Sequence, residues 1–374
     1  MLFRLTPRAL ALSLALAAPA CAGAERSPRS LPAGRAIHEA IEELPGVVLT
    51  GRHFSLSGQL EVVVAAPDSA GAAAALARAF AVADSVDRLV SPHFAGSEVA
   101  RINAAAGREP IRVSPWTEIL MATALEWAAR TGGAFDPTVG PVIEAWGFSG
   151  DQPAVPTNEK LEAAQRLVDW RKVRHDRAAH TVFLADSGMV LDLRAMAKGF
   201  ALDRMRERMT AAGATGGVLD FDGDVVFFGP GTESKEDLWP IEIPNPYDPT
   251  RSFARFELPG GSISTSSYYD RMIEIEGEQY GHVVDPRTGW PVRGLASVSV
   301  YAQNAFINDI LSTALFVMGP EEGRRFAENL DDVETLFVEE AAPGQATRVH
   351  MSAALNRYVK RLDPPVHPVL RDDE

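Results

Sequence analysis

The stretch GVLDFDGDVVFF, Gly217–Phe228, decides the fold class. It holds two strand-like runs, Gly217–Phe221 and Val225–Phe228, separated only by Asp222-Gly223-Asp224. A link that short can close an antiparallel pair but cannot carry the crossover that a parallel pair needs. Working outward toward the C-terminus, strand-like runs recur at Trp239–Ile243, Ser252–Leu258, Gly261–Thr265, Arg271–Ile275, Gly281–Val284 and Leu295–Tyr301. Toward the N-terminus, Gln59–Ala65 reads as a strand and Ala70–Val90 as an Ala-rich helix. A polar loop covers Ser91–Asn103. A helix follows over Pro115–Arg130, with Ser114 as its N-cap and Gly132-Gly133 as its stop. Another runs from about Asn158 to Leu167. Val190–Leu193 is a short strand entering a helix from about Met196 to Ala212. Adjacent strands joined by short turns, with helices grouped apart, give an α+β class of mixed or antiparallel sheets with packed helices.

With 374 residues the chain makes one large domain or two intimately joined subdomains. It carries a formal charge of −14 and no dense Lys/Arg cluster, which excludes a nucleic-acid binder. The first 20 residues read as an export signal, with Arg4 and Arg8 before the apolar run Ala9–Ala18, so a periplasmic, exported protein is expected. That run is too short to span a bilayer permanently. The single cysteine, Cys21, stands where a lipoprotein signal places its lipid anchor to the inner membrane; simple cleavage around Ala20 or Ala24 is the alternative. One thiol allows neither an internal disulfide nor a cysteine metal site. Residues 21–45 read as a tether, 46–362 as the folded domain, and 363–374 as a Pro-rich, charged, disordered tail.

Four segments carry chemistry. In the helix-forming run Ile307–Met318, the residues Ile310, Leu311, Ala314, Leu315 and Met318 make one apolar face, and Gly319-Pro320 ends it. Asp309 and Thr313 are one helical turn apart, which offers a carboxylate and a hydroxyl to a hard divalent cation. The plainer alternative is a solvated Asp and a Thr bonded back to its own helix. Gly132–Pro141 (GGAFDPTVGP) pairs glycines, which let a ligand approach the backbone, with Asp136 held by Pro137. Leu191–Phe200 (LDLRAMAKGF) sets Asp192 and Lys198 at a strand-to-helix junction, where a cation can steer phosphate. Gly281–Pro291 repeats the Asp-Pro-x-x-Gly pattern, with His282 as a proton shuttle. No phosphate-cradling P-loop, dinucleotide-binding glycine motif, zinc-protease motif or nucleophile elbow occurs.

Together these segments closely resemble the FAD:protein FMN transferase family, also called ApbE, over about Gln59–Met351. The resemblance rests on SEVARIN (Ser97–Asn103), GGAFDPTVGP, LDLRAMAKGFALD (Leu191–Asp203), ISTSS (Ile263–Ser267), HVVDPRTGWPV (His282–Val292) and NDILSTALFVMG (Asn308–Gly319), in the family's order. It implies an ApbE-like fold of two joined subdomains. It also implies a metal held by Asp309, Thr313 and the backbone carbonyl of Ala195, with Mg²⁺ and Mn²⁺ both suited to oxygen donors. FAD would be bound by Ala134, Phe135, Asp136, Asp192, Lys198 and Val284. The implied activity moves the FMN half of FAD onto a Ser or Thr hydroxyl of an acceptor flavoprotein and releases AMP. His282 is then the candidate proton acceptor, with Asp285 beside it; the alternative is that His282 orients the diphosphate or Asp285.

The chain departs from the family's pattern in places. Ser57-Gly58-Gln59 replaces a common Met-Gly-Thr, and His93 stands where a flavin-stacking Tyr is common. Asp220-Phe221-Asp222-Gly223-Asp224 replaces Asn-x-Gly-Gly-Asp, so two added acids either recruit a second cation or face solvent. Two other readings stay open: an FAD pyrophosphatase that gives FMN and AMP, and a non-catalytic flavin-binding lipoprotein.

Overall fold

The computed structural model describes residues 44–92, 94–150, 152–230, 238–268 and 272–366. The expected signal peptide, Cys21, nearly all of the tether, His93 and residues 367–374 lie outside them. In chain order the first half forms β1 (Val47–Ser55), β2 (Gly58–Ala66), α1 (Ser69–Val90), α2 (Glu98–Ala104), β3 (Ile111–Arg112), α3 (Pro115–Arg130), α4 (Gly140–Trp146), α5 (Asn158–Gln165), β4 (Val173–Asp176) and β5 (Thr181–Leu184). Then come α6 (Arg194–Ala211), β6 (Gly216–Phe221), β7 (Asp224–Phe228), β8 (Trp239–Asn245), β9 (Asp248–Leu258), β10 (Gly261–Ser267), β11 (Met272–Ile275) and β12 (Glu278–Gly281). The last are β13 (Leu295–Ala302), α7 (Ala305–Ala327), β14 (Glu334–Glu339), β15 (Val349–Met351) and β16 (Val359–Leu362).

The stretch Gly217–Phe228 is the β6–β7 hairpin, with Phe221 opposite Asp224 and Leu219 opposite Val226. It sits inside an eight-stranded sheet of order β1-β2-β6-β7-β10-β13-β14-β15, in which all neighbouring strands are antiparallel. Side chains alternate between its faces. Val62, Val64, Leu219 and Val226 point into a core built with α1, α6 and α7. Their neighbours Val63, Val218, Val225 and Phe227 point into a second core with Trp239, Ile241, Phe253 and Phe256 of the three-stranded sheet β16-β9-β8. Both faces are covered, which is why the central strands read as nearly unbroken apolar runs. Of the two remaining small sheets, β11-β12 is a hairpin and β3-β5-β4 shares the helix-side core through Val182 and Leu184.

Several local expectations need correction. Ser91–Asn103, read as a loop, contains helix α2: Ser97 caps it by accepting the Ala100 N–H at 2.9 Å, and Val99 and Ile102 are buried. Capping and a short buried stripe outweigh the polar composition there. Val190–Leu193 is no strand, because only Val190 bridges, to Val139 in parallel. The Asp192 N–H goes instead to the Pro137 carbonyl at 2.8 Å. The strand expected at Gly281–Val284 ends as β12 at Gly281. Gly319-Pro320 breaks α7 without ending it: Gly319 has φ 78° and ψ −178°, and helix resumes from Pro320 to Ala327. Proline fits the first turn of a helix, where no N–H is required. Within the expected tail, Asp363 donates its N–H to Phe253 at 2.7 Å, and Val366 bridges to Ala346. Strands β1, β3, β4, β5, β14, β15 and β16 and helix α4 were not foreseen. Among the described residues no helix is long and apolar enough to cross a membrane.

Candidate active site

Helices α6 and α7 touch at Gly199. A Cβ on that residue would lie 2.2 Å from the Ala305 carbonyl oxygen and 2.7 Å from the Asp309 Cβ, so only glycine permits the approach. Asp203, one turn further along α6, accepts the Phe306 N–H at 3.0 Å and fastens the start of α7. This closeness lets buried Asp309 accept the Gly199 N–H through Oδ2 at 2.8 Å. In an α-helix that N–H points at the carbonyl four residues back, so the Ala195 carbonyl is set beside the carboxylate. Thr313 lies one turn along α7 and donates its hydroxyl to the Asp309 carbonyl at 3.4 Å. The Thr313 hydroxyl is thus bonded back to its own helix, the plainer of the two expected readings, while the Asp309 carboxylate is carried to the first turns of α6, where Ala195 also lies. A carbonyl, a carboxylate and a hydroxyl are hard oxygen donors of the kind that suit Mg²⁺ or Mn²⁺.

Lys198 completes the cluster. Its Nζ lies 2.6 Å from Asp224 Oδ2, at the first residue of β7. Burial alone would depress the ammonium, but Asp224 and then Asp309 outweigh it and hold the group above its usual value. Burial, and next the charge of Asp224, push the Asp309 carboxyl up to about 7, against the pull of Lys198 and the N–H groups of Gly199 and Lys198. A cation or a tightly held ammonium relieves such a carboxylate, so the electrostatics fit a site built to hold added positive charge. Asp224 was missed from sequence. The available signal was its place at the end of the β6–β7 turn, where a buried acid needs a basic partner.

The remaining expected site residues fall into two groups. Asp192, Asp136 and Val284 belong to segments that meet: Pro137 bonds Asp192, Arg194 forks onto both Asp192 oxygens at 3.0 Å, and Trp146 donates to the Gly289 carbonyl at 2.8 Å. Arg287 reaches the Val317 carbonyl of α7 at 3.5 Å and ties the His282–Pro291 turn to the metal-donor helix. Asp136 is buried with both oxygens engaged, Oδ1 by the Thr138 N–H and hydroxyl and Oδ2 by the Trp170 N–H. Burial raises its carboxyl. Asp136 thus shapes its loop, whose Gly132 and Gly133 have positive φ and open space above them. Ala134, Phe135 and Val284 are buried, and the N–H groups of Ala134 and Phe135 are bonded to Thr131, each at 3.2 Å. The Asp285 carboxylate accepts the Arg287 N–H at 2.8 Å and its Nε at 3.0 Å, so it braces the turn after half-buried His282. Ser57 is exposed at the β1–β2 tip, and the following Gln59 N–H bonds Asp222 Oδ1 at 3.0 Å.

The added acids serve turns: Asp220 accepts the Gly223 N–H at 2.9 Å, and Asp222 ties down Gln59. Among the described residues no group of three or more His, Cys, Asp or Glu is poised for a metal. The site described above mixes donor types and is not such a group. A cavity of about 420 Å³ between Arg78, Trp116 and Arg208 lies at the far end of α6. Arg208 is ten residues from Lys198, about 15 Å along a helix. It takes no part in this site.

Comparison with known proteins agrees with the geometry. A model of the ApbE family matches residues 56–337. The FAD:protein FMN transferase of Treponema pallidum is 32% identical over 304 residues, covering 78% of this chain and 82% of its own. The crystal structure of the ApbE protein of Thermotoga maritima superposes with a TM-score of 0.76 at 29% identity, over 84% of this chain and 100% of that one. The apo structure of Pseudomonas stutzeri flavinyl transferase ApbE gives 0.73 at 26% identity, over 83% and 96%.

Proposed function

The chain belongs to the ApbE family, and from that premise we propose that its Lys198–Asp309 site moves the FMN half of FAD onto a Ser or Thr hydroxyl of an acceptor flavoprotein. It is an enzyme, an FAD:protein FMN transferase. The carrying observation is the cationic Lys198, held between Asp224 and Asp309 where α6 and α7 meet. Ala195, Asp309 and Thr313 would hold Mg²⁺ or Mn²⁺, which when bound supplies positive charge at the diphosphate. Lys198 binds phosphate oxygens of FAD, and its ion pair with Asp224 keeps the ammonium from swinging away. The open backbone at Gly132 and Gly133 admits the dinucleotide closely. During transfer the acceptor oxygen bonds to the FMN phosphorus, and the P–O bond to AMP breaks with its electron pair. His282 takes the hydroxyl proton. Positioning and electrostatics carry most of the barrier reduction, as for phosphoryl transfer in general. The signal-like first 20 residues support work outside the cytoplasm, and Cys21 supports a lipid anchor.

The test is incubation of purified protein with FAD, Mg²⁺ and an acceptor domain, following covalent flavin by in-gel fluorescence together with AMP and free FMN. Covalent flavin with stoichiometric AMP is the expected result; free FMN alone would make the enzyme a pyrophosphatase. Asp309→Ala is expected to lose turnover by at least 100-fold, about 2.7 kcal/mol of barrier, and to bind FAD more weakly in Mg²⁺. Normal turnover in that variant removes the metal assignment.

A further inference from the structure

Strand β10 carries hydroxyls on both faces. Its even positions look toward α7: Ser262 is bonded by Asn308 Nδ2 at 2.7 Å, and Ser266 meets Ser312 at 3.0 Å. Ser312 in turn donates to the Asp309 carbonyl at 3.0 Å. The odd positions look the other way, into a cleft bounded by Thr265, Ser297, Ile243 and Pro244, with the Asp222-Gly223 turn as its rim. The rim is one residue from Asp224, the partner of Lys198. The cleft and the catalytic cluster thus flank the same end of the sheet, one on each face.

Ser297 singles out this cleft. It is 2% exposed, and its Oγ has no hydrogen-bond partner among the described residues. Buried hydroxyls are nearly always partnered. A bulge at Ala296 breaks the register of β13 against β14 immediately before it, and bulges re-aim the side chains that follow. Thr265 in the same cleft is satisfied by Ser299 at 2.8 Å, so the unmet hydroxyl is specific to position 297.

We propose that this cleft seats the acceptor polypeptide, presenting an extended segment whose polar backbone meets Ser297 and whose target hydroxyl passes over the Gly223 rim toward Lys198. The inference rests on the transferase reading and names where its protein substrate lies. Three observations favour a polypeptide over the flavin. The enclosed space is about 50 Å³, room for a small side chain and not for a ring system. The lining has no Lys or Arg to meet phosphate, and it includes Asp222. Its outer wall, β8, is the edge of its sheet among the described residues, and a sheet edge can receive an extended chain by backbone pairing.

The experiment compares wild type, Ser297→Val and Ser297→Thr, using FAD, Mg²⁺ and a purified flavoprotein domain carrying its unmodified target threonine. Ser297→Val is expected to lower kcat/KM for the acceptor at least tenfold and to weaken binding of that domain to the FAD-free protein by a similar factor. FAD affinity should stay within twofold. Ser297→Thr, which keeps the hydroxyl, should recover most of the loss. A parallel loss of FAD affinity would place the cleft in the dinucleotide site, and unchanged acceptor binding in Ser297→Val would remove the proposal. If Ser297→Val does not fold, Ser297→Ala is read against the same two outcomes. Wild type that binds the acceptor yet forms no covalent flavin would refute the transferase reading while leaving the docking measurement decisive for the cleft.

Discussion

Asp220 pairs across the β2–β6 ladder with Glu61, and burial, with Glu61, Asp222 and Asp224 around it, pushes its carboxyl up to about 6. An unfolded Asp titrates near 4, so between roughly pH 4 and 6 the native state binds the extra proton. Stability contributed by the neutral form is present below that window and lost as pH rises through it. Asp220→Asn keeps an oxygen for the Gly223 N–H and removes the charge. After discount for the partial exposure of Asp220, it should stabilise the protein at pH 7.5 by about 1–2 kcal/mol and change little at pH 4. Urea denaturation at both pH values checks this, and an equal shift at both would refute it. The sequence showed the added acids but not their surroundings: strand alternation could not tell that Asp220 lies in a covered ladder, nor that Asp224 would find Lys198. Asp309 and Lys198, which the structure brings together, could be singled out because helical spacing and the family's motifs point to them independently of long-range contacts.

The meeting of α6 and α7 is the element on which the metal donors depend. Gly199→Ala puts a methyl within 2.2 Å of the Ala305 carbonyl, and backbone cannot yield as a flexible side chain can. The helices must separate, at a cost of about 1–3 kcal/mol. The Asp309–Gly199 hydrogen bond should weaken with them. The expected result is a lowered melting temperature together with a greater fractional loss of turnover than of fold. A variant as stable and active as wild type would show that the helices are not held this closely. The apolar face of α7 was legible: Ile310, Leu311, Ala314, Leu315 and Met318 are all buried. Its length was not, because a glycine with positive φ followed by proline is the signature of a stop and equally of a break with restart. Helix α2 was hidden for the opposite reason, since its short buried stripe of Val99 and Ile102 lies in a polar run.

At the scale of the whole molecule, strands β2, β6, β7, β13 and β14 serve both apolar cores at once. Neither core can be lost without exposing the back of the other, so the described body should unfold as one cooperative unit. Denaturation followed by tryptophan fluorescence and by far-ultraviolet circular dichroism is expected to give coincident curves; separated midpoints would mean that the β8–β9–β16 layer melts alone. The antiparallel α+β class was legible from turn lengths. The strand order was not, because nothing local tells β10 to lie between β7 and β13, and the edge strands β1 and β15 carry weak patterns of their own. The alternation along β10 has a practical consequence for protein engineers. Ser262 and Ser266 answer to the helix that carries Asp309, whereas Ile263 and Thr265 answer to the opposite layer. The strand behaves as a two-track tape: codons on one track can be randomised as a library to seek new client proteins, while the other track preserves the chemistry unread.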